Sequence, residues 1–335
     1  MGGMPVSEPL VRVLRGGLPE SLHTGALVLV EGDRTVLRRG DAERIVFYRS
    51  ASKPLQALEL VLCGAADAFG LTPEELALAA GSHNGEPRHL AAARSILDKA
   101  GVPEDALRCG GHRSVSSDVA FAQRRDGIPM TSILSNCSGK HAGMLAAAKH
   151  RGDPLDGYLE LAHPVQRAIV GHVAAFAGLR PDDVQAGVDG CGAPALAVPL
   201  LAMARSIAHV GAPEGLPEPL AAAGRRIRDA MLAHPEMVAG EERFDTDLMR
   251  VAKGRLLAKA GAEGVHVVAV PAQRMGLAIK VDDGSDRGYR AVVIEVLRRR
   301  GVLSDAEADD LRHRHAPAVQ KNLAGRPIGH IEIAF

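Results

Sequence analysis

Apolar and polar residues alternate in short runs near both ends of the chain and recur at helical spacing through its middle. Residues 10–14, 25–30 and 35–37 are rich in Leu and Val, and Glu31-Gly32-Asp33 between the last two predicts a hairpin. Near the C-terminus, 264–270 and 275–281 alternate as an antiparallel pair, 286–300 returns to an amphipathic helix, and 328–335 reads as a closing strand. Between these ends the spacing predicts helices over 55–68, 73–80, 88–100, 142–150, 162–178, 193–210 and 219–233. The stretch 187–192 is too rich in glycine for the interior of a helix or strand. The expected fold is therefore α+β: an antiparallel sheet built from N- and C-terminal segments, with a helical middle. Residues 10–70 and 255–335 form the sheet and helix part, 71–254 the mainly helical part, and no linker or repeat divides a single unit over 1–335.

Charge and composition narrow the partners. Forty basic and forty acidic side chains cancel, so no global field attracts nucleic acid or an acidic membrane surface, and a small neutral or zwitterionic ligand fits better. Trp is absent and aromatics make up 3% of the chain, which leaves the core to Leu, Val, Ile and Ala. Four widely spaced cysteines, Cys63, Cys109, Cys137 and Cys191, argue against a disulfide scaffold. No apolar run reaches membrane-spanning length and the N-terminus has no signal-peptide pattern, so a cytoplasmic, soluble protein is expected.

The chemistry gathers in five short stretches. Ser50 and Lys53 lie three residues apart where an apolar helix begins, and such positions share a helix face. A neutral Lys53 could take the proton of Ser50 and make it a nucleophile. Pro54 suits a first helical turn, so regular helix is expected from about Ser52, with Ser50 on the entering turn. Ser82-His83-Asn84 sits in a loop, and Lys259-Ala260-Gly261 precedes a strand. In this order the three match the Ser-x-x-Lys, Ser-x-Asn and Lys-Thr-Gly signatures of serine penicillin-binding proteins and class A β-lactamases, with His83 in the middle of the second and Ala260 in place of threonine in the third. The remaining two are Asn136-Cys137-Ser138-Gly139-Lys140-His141 and Asp189-Gly190-Cys191-Gly192.

Together with Arg49 and Glu86, these five stretches resemble the asparaginase II family, the rhizobial, thermolabile-type class of L-asparaginases, from about residue 25 to the C-terminus. The resemblance implies a serine β-lactamase-like fold, a homodimer, and hydrolysis of L-asparagine to L-aspartate and ammonia. Ser50 would form a β-aspartyl ester while Lys53 accepts its proton, with Lys259 as a nearby cation lowering the Lys53 pKa and Ser82 relaying protons. Spacing leaves open whether Ser50 or Ser82 attacks. For substrate recognition, Arg49 offers bidentate geometry to an α-carboxylate, Asp189 or Glu86 could take the α-ammonium, and Asn84 and His141 could hold the amide or carboxylate. The resemblance also suggests a metal, zinc, held by Cys137, Lys140 and Cys191; the alternative is a pair of buried free thiols. Two other classes of function remain: a glutaminase or penicillin-interacting amidase or esterase of the same fold, and a zinc-stabilised asparagine-binding protein without hydrolysis.

Overall fold

The structure is a computed structural model describing residues 6–335. Eleven strands are described: β1 (Glu8–Arg15), β2 (Leu18–Glu31), β3 (Arg34–Arg39), β4 (Ile45–Phe47), β5 (Gln185–Val188), β6 (Pro194–Pro199), β7 (Leu257–Ala260), β8 (Val265–Val270), β9 (Met275–Val281), β10 (Val319–Lys321) and β11 (Pro327–Ile333). The main sheet runs β10-β11-β1-β2-β9-β8-β7, with β3 also paired to β2, so strands from the two ends of the chain interleave as expected. Long β2 is the seam: it pairs antiparallel with β9 in the register Gly25↔Val281 to Glu31↔Met275. Its residues from Gly25 to Val30 are buried without alternation because both faces of the sheet are covered.

Neighbouring residues of β9 point to opposite faces, and glycines mark the layer on each. On one face, a side chain at Gly276 would meet the Ala204 carbonyl at 2.1 Å, which fixes how closely helix Leu200–Gly211 lies against the sheet. On the other, Val281 packs against Gly288 of helix Asp286–Arg299. Beyond the first helix layer, helix Lys53–Leu62 is buried from Lys53 to Leu60 and packs among helices Ser138–Arg151, Pro164–Ala177 and Glu218–Ala233. The α+β architecture is thus the expected one. No helix among the described residues is long and apolar enough to cross a membrane.

Three expectations are corrected. The run 193–210 is not one helix: Pro194–Pro199 is β6, the middle of a second sheet ordered β4-β6-β5, and helix Leu200–Gly211 follows. Four apolar residues bracketed by prolines carry no period that separates a buried strand from a helix. Gly187 and Val188 lie in β5 because β6 supplies their partners, Ala195 and Pro194, leaving only the rest of that glycine-rich stretch as loop. Helix 55–68 is broken at Gly64, whose φ of 86° is left-handed, into Lys53–Leu62 and Ala65–Ala68. Lys259 does lie ahead of the expected strand, β8, but within a further strand, β7, that was not expected.

Candidate active site

Tyr48 anchors the entrance to the site. Its N–H donates to the Leu196 carbonyl at 2.9 Å, and its buried hydroxyl hydrogen-bonds Ser206 at 2.7 Å. The next residue, Arg49, has φ 51°, a left-handed conformation that costs a non-glycine residue and persists only where the surroundings impose it. A 3₁₀ turn, Arg49–Ser52, follows, and the Lys53 N–H donates to the Ser50 carbonyl as α-helix begins. The chain therefore places Ser50 on the entering turn, half-buried, with Lys53 one turn further on.

Lys53 reaches across to the second motif. Only 1% exposed, it donates to the carbonyls of Gly81 at 2.7 Å and Asn136 at 3.2 Å. Burial lowers its pKa, against the pull of nearby Cys137. Ser82 follows Gly81 directly; its N–H donates to the Val238 carbonyl at 2.7 Å, while its buried hydroxyl has no hydrogen-bond partner among the described residues. Gly81 allows this seating, since a Cβ there would meet the Val238 carbonyl at 2.8 Å.

The third motif arrives on β7. A Cβ on Gly261 would stand 2.5 Å from the Tyr48 carbonyl, so glycine lets the end of the Lys-Ala-Gly stretch close on the residue before Arg49. Lys259 is 1% exposed and donates to the Ala260 carbonyl at 2.8 Å, with Asp245 Oδ2 3.8 Å from its Nζ. Burial lowers its pKa, Asp245 pulls it back up, and Lys53 and Arg243 push it down, to about 7. The two lysines thus feel each other across about 200 residues of sequence. Their repulsion is mutual, so each amine disfavours the ammonium form of the other. The Cys137–Cys191 pair beside Lys53 opposes this, but burial outweighs it and the Lys53 pKa stays below its ordinary value.

Arg49 and Asp189 form an ion pair, with Arg49 Nε and Nη2 donating to Asp189 Oδ1 at 3.0 and 2.8 Å. Burial pushes the Asp189 carboxyl up, but Arg49 and the Gly190 N–H outweigh it and hold the pKa below its ordinary value. Asn84 and Glu86 are engaged elsewhere. Asn84 donates to the Glu241 carbonyl and accepts from Arg243, and Glu86 accepts from the Glu241 N–H at 2.9 Å. Both tie their loop to 241–243. His141, fully buried, hydrogen-bonds Tyr158 through Nδ1 at 2.8 Å and leaves Nε2 unpartnered among the described residues. Burial, then Lys140 and Lys53, place its pKa well below the ordinary value, so it stands as a neutral imidazole.

The two loop cysteines and Lys140 converge. Lys140 donates to Cys191 Sγ at 3.1 Å, and the Cys191 thiol hydrogen-bonds Cys137, lowering the Cys137 pKa well below the ordinary value and raising that of Cys191. Among the described residues, no three His, Cys, Asp or Glu side chains gather as metal ligands, so the donor set is two sulfurs and an amine. A zinc-type ion would first have to displace the protons of Cys191 and Lys140, both held more tightly than usual, after which two thiolates and an amine would suit it. Cys63 and Cys109 are free thiols, Cys109 donating to the Ser132 carbonyl at 3.3 Å.

Five separated stretches thus meet around two buried lysines. A family model described as L-asparaginase II matches residues 11–333. The chain belongs to the L-asparaginase II family. Membership makes it a hydrolase of asparaginase type with a small-molecule substrate. No curated protein sequence matches it. Among solved structures it is similar to a β-lactamase from Mycobacterium bovis at 13% identity and TM-score 0.43, over 83% of this chain and 95% of that one. It is also similar to Mglu in its native form at 17% and 0.46, spanning 83% of this chain but 65% of that one. For a D-alanine carboxypeptidase AmpC from Burkholderia cenocepacia the values are 15% and 0.41, over 83% and 93%.

Two partners in the site escaped the sequence reading. Asp245 stands at the head of helix Phe244–Val251, where acidic residues ordinarily answer the helix dipole, and His266 lies in a buried strand. Neither carries a motif; only the fold sets them beside Lys259.

Proposed function

We propose that the protein hydrolyses the side-chain amide of L-asparagine to L-aspartate and ammonia through a serine acyl enzyme. The observation that supports this reading is that buried Lys53, one turn after Ser50, donates to the Gly81 carbonyl beside Ser82, with Lys259 close enough to feel its charge and the Arg49–Asp189 ion pair at the entrance. A zwitterionic amino acid can exchange into that ion pair, its α-carboxylate on Arg49 and its α-ammonium on Asp189. Its side-chain amide is then offered to the serines. Ser50 attacks the amide carbon and its proton passes to Lys53. The two carbonyls accepting from Lys53 suit a neutral amine, which has two N–H donors and keeps one lone pair for the serine proton.

Collapse of the tetrahedral intermediate expels ammonia, which receives the proton returned from Lys53 through Ser82. The unpartnered Ser82 hydroxyl, next to the carbonyl that holds Lys53, suits that relay. In the second half-reaction, water attacks the ester while Lys259, an amine above about pH 7, accepts its proton. That proton then passes to the departing Ser50 oxygen and restores the serine. Cys137, Lys140 and Cys191 would hold a zinc ion, which would supply fixed positive charge and order the Asp189–Cys191 loop. A homodimer belongs to the same reading, and light scattering on the purified protein tests it.

The test is ammonia release from L-asparagine and L-glutamine, and ring opening of a chromogenic β-lactam read by absorbance, for the wild type, Ser50→Ala and Ser82→Ala. Asparagine turnover that falls by about 10⁴ in Ser50→Ala is expected, as for loss of a catalytic nucleophile. Full activity in Ser50→Ala with none in Ser82→Ala would reassign the nucleophile. β-Lactam turnover without asparagine turnover would overturn the substrate.

A further inference from the structure

Behind Lys259, away from the serines in sequence and absent from the motifs, lies a buried line of polar groups. His266 Nε2 donates to Asp245 Oδ1 at 2.9 Å, and the Ala260 N–H donates to Asp245 Oδ2 at 2.8 Å. The same Oδ2 stands 3.8 Å from Lys259 Nζ. The side chains of Lys259, Asp245 and His266 are 1%, 4% and 0% exposed. His266 is held on both sides, stacked on Tyr289 at 4.9 Å and tilted against Phe244 at 5.3 Å. A buried carboxylate in such a place is costly unless its charge is used or fully paired. Here one oxygen is paired with an imidazole, and the other faces a backbone N–H and the lysine.

We propose that Asp245, oriented by His266, is a positioning residue that aims the Lys259 amine into the cleft and keeps it basic enough to accept a proton from water. The inference rests on the serine acyl-enzyme reading above and assigns what tunes its second base. The charged groups that act on Lys259 are Asp245 and Arg243 from the helix Phe244–Val251 and its entry, Lys53 from the nucleophile helix, and Cys137 from the head of helix Ser138–Arg151. Of these, Asp245 is the carboxylate, and it opposes burial and both cations. Its own pKa is pushed up by burial, but His266, Lys259 and the Ala260 N–H hold it below the ordinary value, so it is ionised wherever Lys259 titrates. A base works best with a pKa near the working pH. Without Asp245, Lys259 would lose its proton at lower pH and take one up more weakly.

Asp245→Asn isolates the charge from the scaffold. Its amide oxygen can still accept from the Ala260 N–H. Its amide nitrogen can donate to His266 in the other tautomer, because His266 Nδ1 is unpartnered among the described residues. The experiment is the pH profile of kcat/KM and kcat for asparagine in the wild type and Asp245→Asn, with melting temperature beside it. The acid limb is expected to move down by about one pH unit or more, the effect of one nearby opposite charge, while the plateau rate falls and KM changes little. A uniform fall at every pH with the limb unmoved would make Asp245 a structural fastener and overturn the proposal.

His266→Phe keeps a ring against Tyr289 and leaves the carboxylate charge less neutralised. Its acid limb is expected to move up; a limb that stays or falls counts against the role of His266. If Asp245→Asn does not fold, His266→Phe decides alone by the same criterion. Absence of asparagine turnover in the wild type would instead defeat the parent reading.

Discussion

Replacing Gly261 by alanine tests whether the closure of the third motif on the first governs the site. The Gly261 φ lies outside the left-handed range, so alanine is conformationally allowed there and only the contact opposes it. The added Cβ would stand 2.5 Å from the Tyr48 carbonyl and 3.0 Å from Val265 Cβ. Ordinary contact begins near 3.4 Å, so the two segments must part by about 1 Å. Neither side yields freely. Tyr48 is held through its N–H and hydroxyl, and the Gly261 N–H donates to the Val265 carbonyl at 2.8 Å. The displacement therefore passes to the neighbours, Arg49–Ser50 on one side and Lys259 on the other. A 1 Å error between reacting groups costs about 10²-fold in rate, whereas relieving the clash costs about 1–3 kcal/mol of stability. The expected variant is folded, melts a few degrees lower, and loses about two orders of magnitude in kcat/KM for ammonia release. Gly190→Ala, which meets nothing within 4 Å, is the steric control on the facing loop. Wild-type turnover in a folded Gly261→Ala protein would refute the reasoning.

Other consequences follow from the same geometry. Lys259 titrates at about 7 in the fold and near 10.5 when exposed, so between these values the unfolded chain binds the extra proton and this residue makes stability rise with pH. Denaturant midpoints for the wild type should accordingly gain stability from pH 6.5 to 9 relative to Lys259→Met, by a few kcal/mol; equal slopes would contradict the shift. Cys191→Ser should lower zinc content, measured by elemental analysis after dialysis, because it removes one of the three converging donors. Unchanged metal would place the ion elsewhere. Gly171, inside helix Pro164–Ala177, has open space where a Cβ would go, so Gly171→Ala should stabilise by about 0.5–1 kcal/mol in urea unfolding. Glu59 is buried and accepts from Arg151 at 3.0 Å and His172 at 2.7 Å. Glu59→Ala should cost about 1–3 kcal/mol by removing the acceptor that both side chains use, Arg151 keeping its bond to Asp153, and no measurable loss would show that they find other partners.

Much of the fold was legible because its signals are local. The strands at 264–270 and 275–281 are short runs rich in β-branched and apolar residues, buried almost throughout, and the helices at 73–80, 88–100 and 219–233 keep their period to within a residue of the observed ends. Pro194–Pro199 was not legible, since a four-residue apolar run between prolines satisfies strand and helix alike until its neighbours β4 and β5 supply hydrogen bonds. In the site, Ser50, Lys53, Ser82, Lys259, Arg49, Asp189, Cys137, Lys140 and Cys191 each stand in a stretch of unusual residues. Asn84 and Glu86 do too, yet their polar atoms are taken up by 241–243, a pairing no spacing announces.

The sequence by itself determined which residues can do chemistry, because hydroxyl, amine, thiol and guanidinium groups and their short-range spacing are properties of the chain. It also determined the two kinds of layer, since periods of two and of three to four residues are read along the backbone. Tertiary structure alone decided how the lysines share protons. That depends on burial, on Asp245 and His266 arriving from separate elements, and on the separation of Lys53 and Lys259, and an electrostatic free energy is fixed by distance and dielectric rather than by order along the chain.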